Sequence, residues 1–291
     1  AIGRLRDIGA VLNYGVHLMG GQLSYALYKQ ADVFIVGKLL GGAATGFYSM
    51  AVKLADIPLD KIASVFVQVA FPALSRVKGD DAGARRMYLE LHRYLLAIAL
   101  PLLFGLAVVA EDAVSVILSD KWLPMVPVLQ ILCLLNAVRV SGTLAMPGLN
   151  SRGQVGITLR YSLISLIVLP AAYVAAASLG DVVTVALARS AIYPLLYMGL
   201  LYFLLRELGA SVGDFWRSAR SPLVAACLML IAVGAFQIVT AGIEPTARLL
   251  FSIGIGAVVY PATFHVLFPA EVKQVRQALA MLRGRPVAQP G

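Results

Sequence analysis

Ionisable side chains lie inside the long apolar segments of this 291-residue sequence. In the first of these segments, which contains "YKQADVFIVGKLLGG", Lys29 and Asp32 are three residues apart. A charge near the centre of a bilayer costs about 2.5–3.5 kcal/mol on insertion scales, so such residues usually face a partner or a water-filled cavity. The two residues therefore mark the end of a membrane span, a structural ion pair, or part of a path for a polar solute.

The other intramembrane charges suggest a binding site for an anion. Lys53 and Asp56 are spaced i, i+3, which predicts an ion pair on one helix face. Arg139 lies deep within "VLQILCLLNAVRVSGTLAMPG", too far from either end for its guanidinium to reach the interface easily. Cations that converge from several helices would suit a bulky anion such as a diphosphate, because Arg binds phosphate oxygens bidentately. The nine charged residues within the predicted spans are Lys29, Asp32, Lys53, Asp56, Asp60, Lys61, Arg139, Arg160 and Arg189.

A polar stripe runs along the first apolar segment. At 100° per residue its members occupy one helix face about 100° wide. The stripe indicates either the wet wall of a cavity or a tightly packed seam between helices, and both interpretations are open. Its members are Asn13, His17, Ser24, Tyr28 and Asp32. The predicted cavity residues are Lys29, Asp32, Lys53, Asp56, Arg139, Arg189, Asn13, His17 and Tyr28.

Composition places these residues in a membrane protein. Hydrophobic residues make up 60% of the chain and charged residues 13%, against about 45–50% and about 25% in soluble domains. The apolar runs are continuous and about 20 residues long, which predicts membrane-spanning helices and an all-α polytopic fold. About eight spans are expected, at roughly 9–36, 44–72, 92–111, 125–148, 154–178, 181–205, 222–240 and 248–268.

The basic residues outside the spans are concentrated on alternate connections. Fifteen of them, from Arg4 at the start of the chain to Arg285 near its end, lie in connections on one side of the membrane. Only Lys38, Lys121 and Arg248 lie in connections on the other side. The positive-inside rule then places both ends of this chain in the cytoplasm. The net charge of +9 follows from this topology and does not indicate nucleic-acid binding.

The sequence has no pattern typical of an enzyme. His17, His92 and His265 are too scattered for a metal site, and "GVHLMGG" and "GKLLGG" do not fit the strand–loop–helix context of a nucleotide loop. We therefore predict a protein that is not an enzyme and that needs no cofactor, apart from a coupling proton or sodium ion if it is a transporter.

Several motifs resemble those of a known transporter family. In the first motif, Asp32 is followed by an apolar run ending at Gly37, then by Leu40–Gly41 and by Gly46 with Tyr48 and Ser49. The second motif, "PALSR", spans Pro72–Arg76. The third, "KWLPMVPVLQIL", spans Lys121–Leu132. These stretches resemble the polysaccharide transporter family, the Wzx-type O-antigen and exopolysaccharide flippases. The best match is the branch of colanic acid, succinoglycan and teichuronic acid exporters.

The resemblance implies a two-lobe helical fold in the multidrug/oligosaccharidyl-lipid/polysaccharide flippase superfamily. Residues 1–205 would form the C-terminal six-helix lobe, 206–268 two additional helices and 269–291 a cytoplasmic amphipathic tail; an N-terminal lobe would precede them. The implied function is alternating-access export of undecaprenyl-diphosphate-linked oligosaccharide across the bacterial inner membrane. The implied partners are this lipid-linked substrate, the lipid bilayer and the polysaccharide polymerase or export machinery.

Three other functions stay open on the sequence. A peptidoglycan-precursor flippase would handle the same diphosphate group. A cation-coupled multidrug exporter of the same superfamily is disfavoured by six intramembrane cations against three carboxylates. In a non-transporting membrane assembly subunit, the same charges would only hold helices together.

From the sequence, Arg139 is the most informative candidate for binding the diphosphate of the substrate. We expect Arg139→Ala to stop export while the protein level stays near normal, because a diphosphate clamp would be lost without loss of the fold. Export and immunoblotted protein level in a strain carrying the variant would be measured together. Normal export by Arg139→Ala would contradict a diphosphate-clamping role for this residue.

Overall fold

The computed structural model describes residues 5–77, 79–269 and 271, and it describes no side chains for residues 5–11 and 13. The described residues are mostly helical, and none of them forms a strand. A short 3-10 helix, Asp120–Met125, precedes α6. The α-helices are α1 (Leu5–Lys29), α2 (Ala31–Leu39), α3 (Gly41–Arg76), α4 (Asp81–Val108), α5 (Ala110–Ile117), α6 (Val126–Gly142), α7 (Ala145–Ser151), α8 (Val155–Ala177), α9 (Val182–Glu207), α10 (Val212–Val239) and α11 (Pro245–Leu267).

The all-α polytopic membrane fold is confirmed. Seven of the eight predicted spans correspond to described segments that are long and apolar enough to cross a membrane, with α6 and α7 counted within one of them. The remaining span, predicted at 9–36, is divided at Gln30 into α1 and α2. Polar residues such as His17 and Gln22 make α1 less apolar than the other long helices. The amphipathic helix predicted for the tail lies almost entirely outside the described residues.

Helices α1 to α9 pack around one another to form a bundle. Helix α8 contacts α1, α2 and α9, while α6 contacts α3, α4 and α9. Helix α10 packs on the outside of α4, and α11 packs against α10 and α5. The division of the chain near residue 205 stays a prediction; that position falls in the last turn of α9.

The turn between α2 and α3 explains one of the sequence motifs. Gly41 has a φ of +85°, a conformation that glycine adopts without the steric cost that a Cβ atom adds. This turn folds α2 back against the start of α3. The Leu40–Gly41 pair therefore places Asp32 on α2 beside Tyr48 on α3, whose hydroxyl donates to the carboxylate at 3.0 Å.

An ionic cluster attaches α10 and α11 to the bundle. Asp112 on α5 is 1% exposed and accepts hydrogen bonds from Arg248 Nε at 2.9 and 3.0 Å. Gln237 on α10 donates to the same carboxylate at 2.8 Å. At the opposite end of α10, Asp214 pairs with Arg85 of α4. Both ends of α10 are therefore fixed to the bundle through charged groups.

The buried position of Asp112 predicts a loss of stability when its charge is removed. Asp112→Asn would leave the Arg248 guanidinium without its carboxylate, a change that costs about 3–5 kcal/mol when one partner of a buried pair is lost. We expect a lower thermal unfolding temperature in detergent. Glu111→Gln is the matched control because Glu111 is the exposed neighbour on α5. Equal unfolding temperatures for the two variants would contradict the anchoring role.

Candidate functional site

Arg189 of α9 lies between two carboxylates inside the bundle. Its Nη1 donates to Asp32 Oδ2 at 2.7 Å, and its Nη2 donates to Asp56 Oδ2 at 3.0 Å. Asp32 also accepts a hydrogen bond from the Val33 amide at 2.8 Å. Because each arm of the guanidinium meets a different carboxylate, Arg189 connects α2 to α3 through α9.

Arg139 of α6 repeats this arrangement one turn along α3. Its Nη1 donates to Asp56 Oδ1 at 2.7 Å, and its Nη2 donates to Asp60 Oδ1 at 3.4 Å. Lys29, the last residue of α1, donates to Asp60 Oδ2 at 2.8 Å. We call the whole series the charge ladder; its members in order are Asp32, Arg189, Asp56, Arg139, Asp60 and Lys29.

The charge ladder ties together five helices. Asp56 and Asp60 are four residues apart on α3 and therefore present their carboxylates on one face, one turn apart. Arg139 on α6 and Arg189 on α9 both reach the carboxylates on this face of α3. The two ends of the ladder, Lys29 and Asp32, lie on either side of the break at Gln30. The ladder thus spans the junction between α1 and α2.

One end of the charge ladder is buried and the other end is exposed. The side chain of Asp32 is 2% exposed, those of Arg189 and Asp56 are 11%, and that of Arg139 is 13%. Lys29 reaches 30% and Asp60 reaches 43%. The buried end is therefore shielded from any solute, whereas the Lys29–Asp60 end is accessible.

A cavity of about 510 Å³ adjoins the accessible end of the ladder. This volume is within the range of about 300–1,000 Å³ that is usual for small-molecule sites. Among the described residues that line it, the charged ones are Lys29, Asp60 and Arg139. Four tyrosines contribute aromatic surface: Tyr25, Tyr161, Tyr193 and Tyr197. The cavity therefore combines accessible cations with amphipathic rings.

Close packing of α6 against α9 places Tyr197 in the cavity wall. A Cβ atom on Gly142 would lie 2.6 Å from the Tyr197 ring, so the ring fits only because this residue is glycine. The Tyr197 hydroxyl donates to the Ser141 carbonyl at 2.9 Å. Tyr193 lies one turn from Arg189 on the same face of α9. This face of α9 therefore contributes Arg189 to the ladder and Tyr193 and Tyr197 to the cavity wall.

The structure brings five of the predicted site residues into the ladder but excludes Lys53. The side chain of Lys53 is exposed on α3, and the predicted pair with Asp56 is absent from the described contacts. The physical reason is that Arg139 and Arg189 already occupy both Asp56 oxygens, and Asn136 donates to Oδ1 at 3.0 Å. The five are Lys29, Asp32, Asp56, Arg139 and Arg189.

The predicted polar stripe of α1 forms a helix seam for most of its described length. A Cβ atom on Gly20 would lie 3.2 Å from Leu159 of α8. Ser24 and Tyr28 are buried, at 5% and 3% exposure. His17 is absent from the described cavity lining, and the Asn13 side chain lies outside the described residues. The cavity is instead lined by the neighbouring face of α1, through Leu18, Gln22, Tyr25 and Lys29.

Sequence reasoning missed Asp60 and the tyrosines as site residues. Asp60 is four residues from Asp56, and Tyr193 and Tyr197 are four and eight residues from Arg189. Helical spacing from the predicted charges would have found all three. Among the described residues, no cluster of three or more His, Cys, Asp or Glu is arranged to hold a metal ion.

The ladder changes what we expect of variants such as Arg139→Ala. Removing one member leaves a buried charge without its partner, at a cost of about 3–5 kcal/mol, so protein level should fall together with export. We expect Arg139→Gln/Asp56→Asn to be more stable than either single variant, because the pairs at the two ends of the ladder remain intact. Thermal unfolding in detergent and membrane protein level would measure this.

A second double variant is the matched control. Arg189→Gln/Asp60→Asn also removes one arginine and one aspartate, but it leaves Asp32 without its cation and Lys29 without its carboxylate. We expect it to be less stable than Arg139→Gln/Asp56→Asn. Equal stability of the two double variants would mean that only the total charge matters, which would contradict the pairing order of the ladder.

Comparisons with known proteins agree with the resemblance noted above. A family model described as "Polysaccharide biosynthesis protein" matches residues 3–127. The teichuronic acid biosynthesis protein TuaB of Bacillus subtilis is 24% identical over 88% of this chain and 53% of its own length. The succinoglycan biosynthesis transport protein ExoT of Rhizobium meliloti is 24% identical over 98% of this chain and 58% of its own length.

A third relative is the lipopolysaccharide biosynthesis protein WzxC of Escherichia coli. It is 26% identical over 54% of this chain and 32% of its own length. The chain thus spans little more than half the length of the relatives that it matches most fully. The matches include the region from α1 through α5, which carries Lys29, Asp32, Asp56 and Asp60. With its membrane-spanning helices, the chain is therefore similar to proteins of polysaccharide biosynthesis and transport.

Proposed function

We propose that this chain is part of an exporter that moves undecaprenyl-diphosphate-linked oligosaccharide across the bacterial inner membrane for surface polysaccharide synthesis. The observation that carries the proposal is the cavity inside the helical bundle, where Lys29 and Arg139 lie beside four tyrosines. The similarity to the succinoglycan biosynthesis transport protein of Rhizobium meliloti supports the same substrate class. The bilayer and the polysaccharide polymerase or export machinery are the proposed partners.

The two accessible cations suit the diphosphate of such a substrate. Arg139 lines the cavity and can donate from Nη2 to a phosphate oxygen while Nη1 stays bonded to Asp56, and Lys29 adds a compact charge beside it. The tyrosine rings offer amphipathic surfaces to the sugars, with an apolar face and a polar hydroxyl. Arg189 is a less suitable binding group, because it is absent from the described lining of this cavity and both carboxylates that hold it, Asp32 and Asp56, are buried.

Alternating access requires that the substrate or a coupling ion bind the two facing states with different affinity. Asp32 and Asp56 are the carboxylates that such an ion would bind, and its binding would weaken their ion pairs with Arg139 and Arg189. A coupling proton or sodium ion acting on these carboxylates remains part of the proposal. The basic ends of the helices, by the positive-inside rule, would face the cytoplasm.

The peptidoglycan-precursor flippase is the second candidate, because the same diphosphate would fit the same cations. A cationic-drug exporter is disfavoured: among the described charged residues of the cavity lining, two are cations and one is a carboxylate. A non-transporting assembly subunit would use the ladder for helix packing alone. These alternatives predict different lipid intermediates, which an extraction can separate.

Deletion of the full native gene tests the proposal. We expect one undecaprenyl-diphosphate-linked oligosaccharide to accumulate in the inner leaflet, because its synthesis continues while its export stops. Lipid extraction and mass spectrometry would identify it, and complementation with the intact gene is the control. Accumulation of the peptidoglycan precursor would favour the second candidate. Unchanged lipids and unchanged surface polysaccharide would contradict both.

A further inference from the structure

We propose that Asp60 is an exchangeable internal counter-ion, which leaves Lys29 and Arg139 when a diphosphate group enters the cavity. This inference rests on the proposed function for its natural ligand, although its test uses a simpler anion. Asp60 would then set how tightly the cavity holds anions. It would do so by competing with the ligand for the two accessible cations.

Asp60 is held more weakly than the other carboxylates of the ladder. Its contact with Arg139 is 3.4 Å, against 2.7 Å for the contact of Arg139 with Asp56. Its side chain is 43% exposed, so water can solvate the carboxylate when it leaves its partners. Asp32 and Asp56 each receive at least three hydrogen bonds within the bundle.

The geometry of Arg139 allows the exchange without loss of the fold. Its Nη1 donates to Asp56, whereas its Nη2 donates to Asp60. A ligand oxygen can therefore replace Asp60 at Nη2 while the bond from Nη1 to Asp56 stays in place. Exchange at the accessible end then leaves the Asp32–Arg189–Asp56 portion unchanged.

The charges of the ladder make such an exchange necessary. Its three cations and three carboxylates balance. A diphosphate entering beside an ionised Asp60 would meet a like charge at close range, in a site where water screens poorly. Displacement of Asp60 toward water removes this repulsion and frees Lys29 and the Nη2 of Arg139 for the ligand.

Binding of inorganic pyrophosphate to the purified full-length protein in lipid nanodiscs tests the inference. We expect Asp60→Asn to tighten pyrophosphate binding about tenfold, because the competing charge is removed while a side chain of similar shape remains. Isothermal titration calorimetry would measure the affinity. Glu90→Gln is the matched control, because it removes an exposed carboxylate that is not among the cavity-lining residues.

A second variant keeps the test decisive if Asp60→Asn folds poorly. Lys29→Gln/Asp60→Asn removes Lys29 together with its carboxylate partner, so we expect it to bind pyrophosphate more tightly than Lys29→Gln alone, and equal affinities of these two variants would overturn the inference. Equal affinities for folded Asp60→Asn and the unmodified protein would overturn the inference, and so would absence of pyrophosphate binding in every folded variant. The lipid extraction above is independent: an accumulated lipid-linked oligosaccharide with no tightening by Asp60→Asn would reject only the role of Asp60.

Discussion

A charge buried inside a membrane-spanning bundle is costly without a partner of opposite sign, and this constraint governs the arrangement of the helices around the charge ladder. The charge ladder satisfies it by alternating three cations with three carboxylates. Because each inner member contacts two neighbours, the register between helices is fixed at several points. Buried ion pairs add little net stability over apolar packing, but losing one partner is costly. The ladder is therefore better understood as a device that selects one arrangement of helices.

The same constraint links the fold to the proposed function. At its buried end the ladder satisfies the hydrogen-bonding capacity of Asp32 and Asp56. At the other end Lys29 and Asp60 are accessible and adjoin the cavity. A single ionic network thus passes from a part that holds α2, α3 and α9 together to a part that a ligand can rearrange. Lys29 and Asp32 flank the break at Gln30, so the two ends of the network lie on either side of the junction between α1 and α2.

The sequence was sufficient to predict the class of fold and the chemical character of the site. Long apolar runs located the spans, and the cost of intramembrane charge singled out Lys29, Asp32, Asp56, Arg139 and Arg189. Partner choice was not predictable, because spacing on one helix suggested Lys53 for Asp56 whereas two arginines from other helices occupy its oxygens. Such contacts depend on the rotation and depth of α6 and α9 relative to α3. The sequence pattern of a single helix does not determine these quantities.

The ionisation state of the ladder carboxylates tests the account most directly. Infrared difference spectroscopy would compare the unmodified protein, labelled with carbon-13 aspartate, with the Arg139→Gln/Asp56→Asn variant in nanodiscs. The account predicts that the difference contains the bands of an ionised carboxylate, because Asp56 accepts hydrogen bonds from two arginines. Loss of a protonated carboxylic acid band instead would mean that Asp56 is neutral. That result would contradict a ladder of alternating charges.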